Sequence, residues 1–241
     1  MNRFQLQHEA SAEAAAAAAG EALNDLLTKN GRQPLLLLLS GGSSLGLLDF
    51  VNARSKGEQL TVAMLDERFS HDPEISNFAQ MQRTDFYQLA SEANANFFGS
   101  MPRPGETSGQ LAERLQTNLR TWRQKNSQGK IIATLGLGPD GHTAGMFPYP
   151  EDSYAFKQLF EGEDWVTSYQ AATKNIFPDR ITATVTLLKE VDVGLAYVCG
   201  AEKQAKLKEL LAGQTTEPAR LPAMSWHEIK QVTIYTDLDV T

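Results

Sequence analysis

The chain has 241 residues, 41% hydrophobic and 21% charged, the proportions of a globular protein rather than a disordered or fibrous one. A chain this long buries roughly 70% of the surface it would expose unfolded, so it can build a core without a metal or a disulfide, and a single domain over residues 1–241 is expected. The formal charge of −7 excludes a general affinity for nucleic acid or an anionic membrane, so an anionic ligand must be gripped by a local cluster of donors.

In chain order, Ser11 offers an N-cap to the alanine tract at 14–19, and alanine has the highest helix propensity, which predicts a helix from Ser11 to about Lys29. Strands are predicted at 35–39, 60–65, 130–135 and 191–198, with a closing strand at 232–235. Helices are predicted near 45–53, 77–92, 106–125 and 201–211, and residues 214–226, with Pro218 and Pro222, read as a loop. The apolar runs are continuous rather than alternating, which implies burial on both faces. Their alternation with helices predicts parallel βαβ units in an open α/β sheet with helices on both faces. No run approaches the roughly eighteen apolar residues of a membrane span. The N-terminus shows no basic segment followed by an apolar one and a cleavage site, so a cytoplasmic protein is expected. The single cysteine, Cys199, lies in an apolar run and reads as a core residue.

Open parallel sheets bind ligands beyond the carboxyl ends of their strands, so the segments after the strands carry the functional argument. The first is Ser40-Gly41-Gly42-Ser43-Ser44. Its glycines allow a tight turn that presents backbone N–H groups, and a following helix N-terminus adds partial positive charge. It reads either as a phosphate cradle or as a plain strand-to-helix turn. No lysine follows at the Walker position. The second is Asp66-Glu67-Arg68, with Ser76 and Asn77 beyond it. Carboxylates here can orient a base or a substrate hydroxyl, and the arginine can bind phosphate, unless the group is only a charged surface loop. A metal site built on Asp66, His71 and Asp72 lacks regular ligand spacing, and none is expected.

The third segment runs from Gly136 through Pro139, Asp140, Gly141 and His142 to Ala144. It matches G-x-G-x-x-G literally. Pro139 is awkward in that turn, however, and no strand ending in an acidic residue follows about twenty residues on, so the dinucleotide reading is set aside. A histidine two residues from Asp140 suits a general base oriented by a carboxylate, and a structural histidine is the alternative. Two further cations, Arg180 in Phe177-Pro178-Asp179-Arg180-Ile181-Thr182 and Lys203 after Gly200, are the best placed to reach a phosphate, if they are not solvated surface charges.

Together these segments resemble the glucosamine-6-phosphate isomerase/6-phosphogluconolactonase family. The lactonases of that family carry a Ser-Gly-Gly-Ser loop, an Asp-Glu-Arg loop with a later Ser-Asn, and Asp-Gly-His-Thr-Ala ending in Phe-Pro. Here these are 40–43, 66–68, Ser76-Asn77 and 140–148, in the family's order, and the match runs from about Leu35 to Leu211. The deaminases of the family have a glutamate after the histidine, whereas 144–148 holds no acid, so the lactonase branch is preferred. Leu45 stands where the family has proline, and Ser70 and His71 stand where it has Val-Pro, which bears on the first helix entry and on the second loop.

The resemblance implies a Rossmann-like sheet and hydrolysis of 6-phospho-D-glucono-1,5-lactone with no metal or organic cofactor. It implies that Gly41, Gly42, Ser43, Arg180 and Lys203 hold the phosphate and that His142 activates water. Asp140 would orient the imidazole, Arg68 would bind substrate or offset developing charge, and Asp66 would position ring hydroxyls or water. The alternatives are a deaminase or isomerase using Asp66 for proton transfer, and a non-catalytic sugar-phosphate binder. Oligomeric state has no signature in the sequence.

Overall fold

The computed structural model describes residues 4–29, 31–213 and 217–240. The elements in chain order are β1 (Phe4–His8), α1 (Ala12–Lys29), β2 (Leu35–Leu39), β3 (Leu60–Met64), β4 (Asp66–Arg68), α2 (Asn77–Gln82), α3 (Asp85–Glu92), β5 (Asn96–Phe98) and α4 (Ser108–Lys125). They continue with β6 (Lys130–Gly136), α5 (Ser153–Phe160), β7 (Val166–Gln170), β8 (Asp179–Ala183), α6 (Val185–Leu188), β9 (Val193–Tyr197), α7 (Gln204–Ala212) and β10 (Gln231–Thr236). Seven strands form one sheet in the order β1-β10-β9-β6-β2-β3-β5, and every pairing in it is parallel. This is the open, parallel α/β sheet the apolar runs predict and the Rossmann-like architecture the resemblance implies.

The five leucines of β2 explain its central place. Leu36 and Leu38 enter the core on one face and Leu35, Leu37 and Leu39 the core on the other, as the two-residue period of a strand requires. Leu37 lies opposite Val62 of β3 on one side and Ile132 of β6 on the other. On one face α1 packs Ala15, Ala16, Ala19, Leu23 and Leu27, and on the other α4 packs Leu111, Leu115, Leu119 and Trp122. The Ser11 hydroxyl accepts from the Ala14 N–H at 3.1 Å, capping α1 as its sequence indicates. Cys199 is buried, and burial raises its thiol pKa to about 11.

Several expectations are corrected. The helix expected at 45–53 is a 3-10 stretch, Gly42–Phe50. Gly42 and Gly46 weaken α-helix there, and Gly42 takes φ +63°. The helix expected over 77–92 is two helices, because Thr84 interrupts it as a second N-cap, accepting from the Tyr87 N–H at 3.3 Å. The helix expected from 201 begins as a 3-10 turn, Ala201–Lys203, before α7. In the loop predicted at 214–226, residues 214–216 lie outside the described residues, and its end joins a 3-10 stretch, Pro222–Glu228. The closing strand, by contrast, is found where expected, as β10, and it sits between β1 and β9. The largest correction concerns Asp66-Glu67-Arg68, which is not a loop but the strand β4, paired antiparallel with β8 in a second sheet of order β4-β8-β7.

Candidate active site

The sheet order reverses at β2 and β6. β3 follows β2 on one side, whereas the chain continues from β6 to β9 and β10 on the other. The crevice outside the carboxyl ends of such a strand pair is the standard ligand position of an open α/β sheet. A cavity of about 230 Å³ opens there, between the Ser40–Ser44 loop after β2 and the 136–145 loop after β6. Eight of the nine residues singled out in the sequence line it: Gly41, Gly42, Ser43, Asp66, Arg68, His142, Arg180 and Lys203. The ninth, Asp140, reaches the cavity through His142, whose Nδ1 lies 2.5 Å from Asp140 Oδ1.

The second sheet delivers the charged wall. Arg68 and Arg180 are register partners across β4 and β8, with Asp66 opposite Thr182. The Arg180 guanidinium pairs with the Asp66 carboxylate, and both side chains are at least nine-tenths buried. Arg68 donates through Nη1 to the Ile75 carbonyl at 2.9 Å and lies 5.7 Å from the centre of the Phe177 ring. Burial lowers its guanidinium pKa, with the Asp66 charge opposing that shift. Lys203, also buried, donates to the Ser43 hydroxyl at 3.2 Å, so the last cation joins the glycine loop directly.

The His142 loop is fastened from several directions. Tyr169 donates its hydroxyl to the Gly145 carbonyl at 2.5 Å, Thr182 donates to the Ala144 carbonyl, and Trp226 donates through Nε1 to the Thr143 hydroxyl at 2.9 Å. Phe147 lies beside the imidazole, 4.6 Å between ring centres. A Cβ at Gly138 would overlap the His142 ring and crowd Asp140, so only glycine lets the carboxylate and imidazole meet there. Burial pushes the Asp140 carboxyl up. The hydrogen bond and charge of His142, with its backbone N–H at 3.1 Å, outweigh that push and hold the pKa below the usual value.

Glu67, which the sequence leaves beside Asp66 as a second carboxylate, turns away from the cavity. It is buried and accepts from the Ser76 and Ser100 hydroxyls at 3.0 and 2.8 Å and from the N–H groups of Arg68, Asn77 and Phe78 at 2.8, 2.7 and 3.0 Å. Burial raises its pKa against those bonds. It serves as a buried tie between β4 and the start of α2. Asn77, Tyr169 and Phe147 are the site residues that sequence reasoning leaves without a role. The Ser-Asn and Phe-Pro ends of the motifs mark the first and last of these, and nothing local marks Tyr169.

A family model described as glucosamine-6-phosphate isomerases/6-phosphogluconolactonase matches residues 7–235. The chain belongs to that family. Among its relatives, a 6-phosphogluconolactonase of Xylella fastidiosa is 26% identical over 188 residues, 77% of this chain and 74% of that protein. The 6-phosphogluconolactonase 4 of Saccharomyces cerevisiae is 28% identical over 211 residues, 80% of this chain and 77% of the yeast protein. The solved 6-phosphogluconolactonase of Trypanosoma brucei superposes with a TM-score of 0.75 at 19% identity, covering 98% of this chain and 97% of the other, a likeness of fold.

Proposed function

We propose that this protein hydrolyses 6-phospho-D-glucono-1,5-lactone to 6-phosphogluconate, the lactone-opening step of the oxidative branch of the pentose phosphate pathway. The observation that carries the reading is a histidine held by an ionised carboxylate in the same small cavity as a glycine loop and two buried cations. The relatives named as 6-phosphogluconolactonases supply the substrate. The N–H groups of Gly42 and Ser43, with Arg180 and Lys203, hold the phosphate, and charge-assisted bonds of this kind are the strong ones. His142 Nδ1 carries a proton toward Asp140, so Nε2 keeps a lone pair. Nε2 takes a proton from water as the water oxygen attacks C1, and the carbonyl electrons move onto its oxygen. Arg68 offsets that negative charge. As the intermediate collapses, the C1 to ring-oxygen bond breaks and the imidazolium returns its proton to the leaving oxygen. A general base contributes about 10²- to 10⁴-fold, a fitting share for an ester that already opens in water.

A deaminase or isomerase needs a base for proton movement between carbons, and the carboxylate lining this cavity is Asp66, bound to Arg180. Fresh 6-phosphogluconolactone, followed by acid release with the uncatalysed rate subtracted, tests the proposal. Acceleration is expected, with no ammonia released from glucosamine 6-phosphate. A lactone rate equal to background overturns it.

A further inference from the structure

Three side-chain atoms in the wall of the cavity are buried without a hydrogen-bond partner: Arg68 Nε, Arg180 Nε and Asn77 Oδ1. Two are donors, and Asn77 Oδ1 is an acceptor. Buried polar atoms are rarely left in this state, and in a binding cavity such an atom marks where a ligand completes the bonding. Asn77 is only 1% exposed, and its donors are engaged. Its backbone N–H donates to Glu67 Oε1 at 2.7 Å, and its Nδ2 donates to the Asp66 carbonyl at 3.0 Å and lies 3.4 Å from Asp66 Oδ2. These two acceptors set which way the amide points, because the flipped amide would face oxygen against oxygen. The amide lies so close to the glycine loop that a Cβ at Gly41 would overlap it. Asn77 therefore sits at the joint between the phosphate cradle and the charged wall.

We infer that Asn77 is a specificity-determining residue whose Oδ1 accepts a hydrogen bond from one ring hydroxyl of the phosphorylated lactone, an inference that rests on the function proposed above. A hydroxyl suits this oxygen because it can donate, whereas phosphate and carboxylate oxygens only accept. With Asp66 Oδ2 committed to Arg180, the wall offers donors in excess, and Asn77 supplies an acceptor among them. The lactone carries hydroxyls on C2, C3 and C4. A locked amide beside the phosphate loop reads the one presented to it and refuses a ligand lacking it, since Oδ1 would then stay buried and unpaired.

The test compares kcat/KM for the parent lactone and its 2-deoxy, 3-deoxy and 4-deoxy forms in the wild type and in Asn77→Ala. In the wild type one deoxy form is expected to be about tenfold or more worse than the parent. In Asn77→Ala the parent falls to about the level of that deoxy form, which itself loses little. A purely structural role would lower all four substrates by a common factor and leave their ratios unchanged. Asn77→Ser carries the same expectation should the alanine variant fail to fold. Unchanged ratios in the variant, or a wild type indifferent to all three deletions, overturn the inference while leaving lactone opening intact. A wild type that opens no lactone sinks both readings.

Discussion

His142 has one ring nitrogen committed and one to spare. Nδ1 faces Asp140, and the hydrogen bond and charge of His142 hold that carboxyl below its usual pKa against the push of burial. The pair is therefore kept throughout the range in which an imidazole changes charge. His142→Ala is expected to lower kcat by about 10²- to 10⁴-fold while 6-phosphogluconate still binds, because a base acts in the transition state rather than on the bound product. Asp140→Asn is expected to lower kcat by about a hundredfold or more by upsetting the tautomer. Unchanged kcat in either variant, measured at saturating lactone, removes that residue from the mechanism. Arg180 and Lys203 differ in a way only their partners reveal. Each alanine variant should weaken phosphorylated ligands by about 1.5 to 3 kcal/mol more than unphosphorylated gluconolactone. Arg180→Ala should in addition cost about 3 kcal/mol of stability, because it strands the buried Asp66 charge, whereas Lys203 leaves behind only the Ser43 hydroxyl. Equal denaturant midpoints for the two variants would contradict this contrast.

Among the elements, α4 shows how one residue ties a helix to the sheet. Thr107 and Gln110 form a capping box at its start. One turn on, Arg114 donates through Nε and Nη2 to Glu106 at 2.7 and 2.9 Å and reaches the Gly99 and Met101 carbonyls beyond β5 at 2.7 and 3.1 Å. The Arg114 bond, working against partial burial, brings the Glu106 pKa down to about 2 from an ordinary 4.5. A depressed carboxyl contributes stability that is present above its unfolded pKa and lost as pH falls through the folded one. The thermal midpoint should therefore decline between about pH 4.5 and pH 2, and Glu106→Gln should lie below the wild type at pH 7 and converge with it toward pH 2. Parallel curves across that range would show that the pair does not carry the dependence. The 3-10 stretch after β2 is the other instructive element. Its glycines and serines are legible as a turn, yet the same glycines that let the backbone turn tightly deny the segment an α-helix.

For the molecule as a whole, the fold decides which of its polar residues can act together. The four histidines, His8, His71, His142 and His227, are dispersed, and among the described residues no group of three His, Cys, Asp or Glu side chains could hold a metal ion. His142 Nδ1 is engaged by Asp140, and the proposed chemistry needs Nε2 free. Lactone opening should persist through exhaustive chelation, read as acid release above background. Activity that vanishes with the chelator and returns with one divalent metal would replace the metal-free mechanism and make the carboxylates ligands. The parallel sheet and its two helical faces were legible because apolar runs such as 35–39 reflect burial on both faces, a local consequence of strand periodicity. The glycine loop, the Asp-Gly-His segment and the two cations were legible as separate pieces for a similar reason: tight turns and charged side chains leave composition signals where they occur. Their convergence was not, since it depends on strand order, and the three-stranded sheet that carries Asp66, Arg68 and Arg180 joins segments more than a hundred residues apart with strands of three and five residues. Such short pairings are stabilised by what lies across from them rather than by their own propensity. The sequence by itself thus determined the sheet and the chemistry available at its strand ends. Only the tertiary structure decided that Arg180 meets Asp66, that Glu67 turns inward as a tie, and that Asn77 faces the cavity, because those outcomes rest on partners distant in the chain.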